Sequence, residues 1–250
     1  MTDSLAGICL SAGEGRRLRP LTELLPKPLC PVGNRPLIDW SLDALRPAVA
    51  RVAVNVHHGR DALVEHLRAH DADAHVSVEE PEALGTAGGV AQLADWLDGD
   101  PALVVNADTW HCVDLATFVA GWDGERVRIC TPTPGPFGPR SGVVASILPG
   151  WAVARLEAVP SGLWEVLWAA EADAGRIDTA HAGGTVIDCG TPADYLRANL
   201  TASGGESVIG IGARVLGSIE RCVVWPGEVV AADEHLVDSI RAGGLTVDAR

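Results

Sequence analysis

The sequence predicts an α/β fold, with a three-layer, mostly parallel sheet and a small β-helix-like C-terminal extension, and three observations carry this expectation. Short runs rich in Val, Ile and Leu alternate with amphipathic stretches along the first half of the chain. Near Glu206 the texture changes to brief Val/Ile pieces broken by glycine. At 250 residues the chain can bury one large α/β core and carry a small appendage.

Candidate strands cover residues 5–10, 51–56, 75–78, 102–106 and 127–130, each too short and too rich in buried-type side chains for a helix. Residues 37–45, 60–70, 86–96 and 115–120 are amphipathic and lie between or beside them. This β-α-β-α alternation places helices on the faces of a parallel sheet. Ligands in such sheets bind beyond the carboxyl ends of the strands, so chemistry is expected after Leu10 and after Asn106. In the tail, Val223 and Val229, and Val224, Val230 and Leu236, recur at the six-residue spacing of a hexapeptide β-helix, the alternative being an irregular C-terminal strand and helix. So few coils cannot bury a core alone, so the tail must dock on the main domain or on another subunit. The expected division is residues 1–203 and 204–250, with homo-oligomerisation through the extension as one consequence.

The formal charge of −14 argues against nucleic acid or an anionic membrane as partner, since both are bound through excess Lys and Arg. No apolar run approaches the ~20 residues of a membrane span and no basic-then-apolar leader is visible, so a cytoplasmic location is expected. The six cysteines show neither a disulfide framework nor a zinc-site spacing. A small phosphorylated substrate needs only a local cationic pocket, and Arg16, Arg17, Arg19, Lys27 and Arg35 supply one within 20 positions. Lys27 is the only lysine among 19 basic residues. A compact ammonium does what a planar guanidinium cannot, which marks Lys27 as functional and as a loop residue outside the core.

The first strand runs into Leu10-Ser-Ala-Gly13-Glu-Gly15-Arg-Arg17-Leu-Arg-Pro20-Leu-Thr22, followed by Pro26-Lys27-Pro28. A glycine-rich turn after a buried strand exposes backbone N–H groups that can cradle phosphate. It is no dinucleotide fingerprint, because Leu18 stands at the third glycine position and the prolines forbid the long helix. Nor does Gly-Lys-Ser/Thr close it as in a Walker A loop. The string resembles the signature of the sugar-1-phosphate nucleotidyltransferases, Gly-x-Gly-x-Arg-Leu-x-Pro-x-Thr and then Pro-Lys-Pro. Three further segments are similar in order: Leu84-Gly-Thr-Ala-Gly-Gly89, Val104-Val-Asn-Ala-Asp108, and Ile187-Asp188-Cys-Gly190-Thr191-Pro192. The likeness covers about residues 4 to 200. It implies a Rossmann-like nucleotidyltransferase fold, with the tail as the left-handed β-helical extension of some members.

The resemblance implies transfer of a nucleoside monophosphate from an NTP to a sugar-1-phosphate with release of pyrophosphate. Two polyanions must meet, so catalysis is mostly positioning and charge neutralisation. By this likeness Ala12, Gly13, Gly15, Arg17, Glu80, Gly85 and Thr86 contact the nucleotide, with Arg17, Lys27 and Asp108 at the reacting phosphates. Asp108 and Asp188 would hold Mg²⁺, and Trp110 and Gly142 would meet the sugar. Since neither acid lies in a basic stretch, they are expected to be unpaired until a metal bridges them. Glu80 could accept hydrogen bonds from guanine, which favours GTP, or simply be a charged residue before a helix. Trp110 could equally stack on a sugar or fill the core. His66 and His70, one helical turn apart, read as a solvated face. The family's second active-site lysine has no counterpart here, leaving its role vacant or to Arg128 or Arg140. That gap keeps a second function in view, a catalytically silent relative that binds nucleotide-sugar and regulates a partner. The compact layout is closest to short members acting on muramic acid, mannose or heptose phosphates.

Overall fold

A computed structural model describes residues 5–250. The five expected strands form as Ala6–Leu10, Arg51–Val56, His75–Val78, Ala102–Asn106 and Arg128–Thr131. Two more, Ala145–Leu148 and Asp178–His181, complete a seven-stranded sheet. From one edge the order is Asp178–His181, Arg128–Thr131, Ala145–Leu148, Ala102–Asn106, Ala6–Leu10, Arg51–Val56 and His75–Val78. Neighbours are parallel except at Ala145–Leu148, which runs antiparallel to both of its partners. The Asp178–His181 strand escaped the sequence reading because an edge strand of Asp-Thr-Ala-His has no apolar run to display.

Helices form at Leu37–Leu45, Arg60–His70 and Leu115–Ala120 as the periodicity requires. The expected helix over 86–96 breaks at Leu93 into Gly85–Gln92 and Ala94–Leu97. Ile8, Ala53 and Val104 pack with Ala87, Val90, Leu93 and Leu97 in one apolar cluster. Gly7, next to Ile8 and so on the opposite face, lies so close to Leu45 that an added Cβ would stand 2.8 Å from its Cγ. The sheet is therefore covered on both faces, which is the three-layer arrangement.

The chain divides into two compact units. One contains residues 5–13, 41–107 and 111–186, and with them the seven-stranded sheet. The other gathers residues 14–40, 108–110 and 187–250. Within this second unit the tail forms parallel ladders: Val208 lies beside Val223 and Val223 beside Ile240, Arg214 beside Val229, and Ser218 beside His235. A closing antiparallel hairpin pairs Ser239–Ala242 with Leu245–Asp248 through Gly243 and Gly244, both at positive φ. Val208, Val223, Trp225 and Ile240 share one core with Leu18, Leu21, Cys30, Ile187 and Tyr195. At its centre the Tyr195 hydroxyl donates to the Pro31 carbonyl and accepts from Trp225 Nε1 at 3.0 Å. Among the described residues no helix is long and apolar enough to cross a membrane.

Candidate active site

In the second unit the loop of residues 14–30 is folded around Lys27. Gly15 adopts φ 67°, and a Cβ there would meet Thr22 Cγ2 at 2.9 Å and Lys27 Cβ at 3.0 Å, so glycine is required twice over. Thr22 Oγ1 donates to the Gly15 carbonyl at 3.1 Å and holds the turn. Leu18 and Leu21, fully buried, anchor the loop in the core. Lys27 is itself buried at 5% exposure, so it is not the open loop residue the sequence suggested.

Its ammonium reaches two carboxylates, Asp108 at 2.8 Å and Asp188 at 3.3 Å. Burial pushes the Lys27 pKa down, but the charges of Asp108 and Asp188 outweigh it and hold the group above the ordinary lysine range. The expectation that no protein cation neutralises the two acids is therefore corrected. Lys27 bridges them, and Arg17 approaches Asp188 at 3.4 Å. Proximity along the chain could not reveal this, because Lys27 is far from both acids in sequence. Asp108 and Asp188 are brought together by adjoining strands, Thr109–His111 and Val186–Asp188, with Cys189 N–H donating to the Asp108 carbonyl at 3.0 Å. Gly190 leaves room for Arg17, whose Nη2 would stand 2.6 Å from a Cβ there. The other cations of this stretch face elsewhere: Arg16 and Arg19 pair with Glu14, and Arg35 donates to the Asp39 carbonyl while lying over Trp40.

Trp110 is 4% exposed, edge-on to Trp40 at 6.0 Å and part of the apolar core. Of its two roles the core one fits, since no ring face is open to a sugar.

The remaining candidates lie in the first unit. Ala12 is buried, while Gly13 is exposed and a Cβ there would meet nothing within 4 Å, so its surroundings are open. Gly85, at φ 70°, and Gly88 are pressed against residues 159–161: added Cβ atoms would stand 2.5 Å from the Ser161 carbonyl oxygen and 2.3 Å from that of Val159. Thr86 Oγ1 accepts from Leu163 N–H at 2.9 Å, and Ala87 N–H donates to the Ser161 carbonyl at 3.0 Å. That loop therefore already engages part of the helix start. Glu80 is exposed and ion-paired with Arg60. Gly142 lines a cavity of about 540 Å³ formed by residues 131–136 and 138–142, together with Arg140. Arg128 pairs with Asp178 and lies over Phe118, whereas Arg140 is exposed and lines that cavity.

Sequence reasoning missed Glu79. It is fully buried, with Asn55 Nδ2 donating to one carboxylate oxygen at 2.6 Å and Leu84 N–H to the other at 2.7 Å. Two adjacent acids before a proline read as a solvated loop, and nothing in the spacing marks the first as buried.

The nucleotidyl transferase family model matches residues 6–134, and the chain belongs to that family. Over 131 residues it is 39% identical to N-acetylmuramate alpha-1-phosphate uridylyltransferase of Caulobacter vibrioides, covering 48% of this chain and 54% of that protein. Over 141 residues it is 35% identical to mannose-1-phosphate guanyltransferase of Schizosaccharomyces pombe, covering 53% of this chain and 39% of the relative. The matched parts thus span about half the length of these relatives or less. UDP-glucose pyrophosphorylase from Acinetobacter baumanii has the same fold, with a TM-score of 0.63 at 16% identity over 78% of this chain and 92% of that one.

Proposed function

We propose that this protein transfers a nucleoside monophosphate from an NTP to a sugar-1-phosphate. An oxygen of the sugar phosphate attacks the α-phosphorus, the bond to the β-phosphate bridge breaks, and pyrophosphate leaves. The observation that carries the reading is the buried Lys27 ammonium shared by Asp108 and Asp188 beside Arg17, in a chain of this family. A charge held in place before substrate arrives needs no reorganisation when negative charge develops, which is how electrostatic catalysis gains its effect. Arg17, 71% exposed along its side chain, is free to swing from Asp188 to a leaving pyrophosphate. Gly13 and Gly15 would let backbone N–H groups approach phosphate oxygens, with Ala12, Gly85 and Thr86 beside the nucleoside.

The two acids suit Mg²⁺. They offer hard oxygen donors on side chains 42% and 57% exposed, and no third protein ligand completes a cage among the described residues. That donor set fits an ion that fills its shell with phosphate oxygens and water. When bound it would shield the triphosphate and polarise the reacting phosphoryl group. Lys27 and Arg17 hold the two acids in position.

A GTP preference rests on Glu80, which must turn from Arg60 to meet guanine N1 and N2. Arg140, which lines the same cavity as Gly142, is the proposed anchor for the sugar phosphate. The tail, residues 204–250, is read as a short left-handed β-helix. Its exposed Ile209, Ile211, Leu216 and Val229 suit contact with a second copy, in a cytoplasmic protein.

The test is pyrophosphate release from a matrix of NTPs and sugar-1-phosphates, with and without excess EDTA. Release with one pairing, abolished by EDTA and restored by Mg²⁺, is expected. Silence across the matrix rejects the enzyme, and turnover unaffected by EDTA rejects the metal.

A further inference from the structure

Glu79 is a carboxylate of 0% exposure, and none of its contacts among the described residues is to a cation. A buried charge persists only where hydrogen bonds compensate it, so its partners define its purpose. Those partners form a continuous chain. Ser11 N–H donates to Asn55 Oδ1 at 2.6 Å, Asn55 Nδ2 donates to Glu79 Oε1 at 2.6 Å, and Leu84 N–H donates to Glu79 Oε2 at 2.7 Å. The Ser11 hydroxyl adds a bond to the Asn55 carbonyl, and Asn55 is 2% exposed.

The chain begins on the main chain just before Ala12 and Gly13 and ends on the main chain just before Gly85 and Thr86. The sheet registers the two strands, Ala6–Leu10 and His75–Val78, on either side of Arg51–Val56, and beyond their ends the side chains of Asn55 and Glu79 carry the link from one loop to the other. Gly89 closes the arrangement from the helix. A Cβ there would stand 2.7 Å from Asn55 Nδ2 and 2.7 Å from Glu79 Oε1, so helix and hydrogen-bonded pair are in direct contact.

We infer that Asn55 and Glu79 are a positioning pair that sets the spacing of the two loops gripping the nucleoside triphosphate. The inference rests on the nucleotide site proposed above. The donor pattern makes it specific: both groups facing Glu79 are N–H donors, so only an acceptor at each of its oxygens suffices. In Glu79→Gln the amide must turn its own N–H₂ toward a donor. Asn55→Asp instead places a carboxylate oxygen against Glu79 Oε1. Combined, the two changes restore complementarity: the new aspartate accepts from Ser11 N–H and from the new glutamine, whose oxygen accepts from Leu84 N–H.

The experiment measures binding of a non-hydrolysable NTP analogue, KM for both substrates, kcat and Tm for wild type, both single variants and the double variant. Each single change is expected to weaken nucleotide binding about tenfold or more while KM for the sugar phosphate stays within about twofold. The double variant should return nucleotide binding to within about threefold of wild type. Where a single variant fails to fold, the double variant decides, and it must both fold and bind. Wild-type nucleotide affinity in a folded single variant, equal weakening toward both substrates, or a double variant no better than the worse single one overturns the pair. Absence of any nucleotide binding by the wild type removes the functional reading as well, which separates the two failures.

Discussion

Lys27 combines two properties that rarely meet in one side chain: its stem is buried at 5% exposure and its charge is shared by two partly exposed acids. Removing the charge and removing the stem are therefore different experiments. Lys27→Met keeps the stem's bulk and deletes the ammonium, so kcat should fall by about 10² to 10³, and Tm should fall to the extent that the ammonium offsets repulsion between Asp108 and Asp188. Lys27→Ala should lose activity equally and lower Tm further than Lys27→Met, because it also empties packed space beside Cys30 and Gly15. Steady-state kinetics and thermal melts on the two variants check this, and a Lys27→Met retaining half of wild-type kcat would remove Lys27 from the chemistry. The neighbouring thiols give a second prediction. Burial pushes both Cys30 and Cys189 up to about 12, against the opposing charge of Lys27, so neither forms the reactive thiolate near neutral pH. Cys112 is exposed, while the other five cysteines are buried. Iodoacetamide at pH 8 should modify Cys112 alone in the folded protein, which peptide mass spectrometry reads directly. Labelling of Cys30 or Cys189 without denaturant would contradict the packing around Lys27.

At the scale of elements, the helix Pro192–Ala202 is the member that ties its unit together. Thr191 caps it, accepting from Asp194 N–H at 3.2 Å, and Pro192 occupies the first turn, where a missing N–H costs nothing. From that helix Tyr195 joins the Pro31 carbonyl to Trp225 Nε1. Tyr195→Phe leaves the Pro31 carbonyl and the buried Trp225 indole N–H without that partner and should cost about 1 to 3 kcal/mol, measured by denaturant unfolding. A change below about 0.5 kcal/mol would mean that water or another group satisfies them. This link was invisible in the sequence, because a single tyrosine, a proline and a tryptophan share no spacing. What was legible follows the same logic in reverse. The strands at Ala6–Leu10 and Ala102–Asn106 announce themselves by local pattern, and so do the motifs at their ends. The Asp108 and Asp188 segments were found by motif order, whereas their pairing with Lys27 depends on how distant loops fold onto one another. Glu79 lay beyond reach for a related reason: the burial of an acid is decided by its donors, Asn55 and Leu84, and neither is marked by type or spacing.

On the scale of the whole molecule, the tail bears on the site through the core it shares. Val208, Val223, Trp225, Ile240, Ala242 and Ala249 pack in the same cluster as Leu18, Leu21, Cys30, Ile187 and Cys189. Four of those last five flank the groups that would do the chemistry: Leu18 follows Arg17, Cys30 is near Lys27, and Ile187 and Cys189 bracket Asp188. If residues 204–250 were an independent appendage, a chain ending at Ser203 would keep the site and lose only a surface. The shared core predicts otherwise. Removing the tail exposes an apolar face that includes Tyr195 and Ile187, and it takes away the partner of the Tyr195 hydroxyl. At about 1.5 to 3 kcal/mol for each large side chain returned to water, losing several is comparable to the 5 to 15 kcal/mol by which a domain of this size is usually stable. The truncated chain should be recovered as aggregate or as a molten species that binds a hydrophobic dye, with no turnover. A second variant distinguishes loss of the core from loss of an assembly surface: Ile211→Ser alters a residue 82% exposed and leaves the core untouched. Tm and monomer turnover should be unchanged in that variant, with any effect confined to the sedimentation coefficient. A soluble, active chain ending at Ser203 would show that the site holds its shape without the tail, and would return residues 204–250 to the status of an appendage.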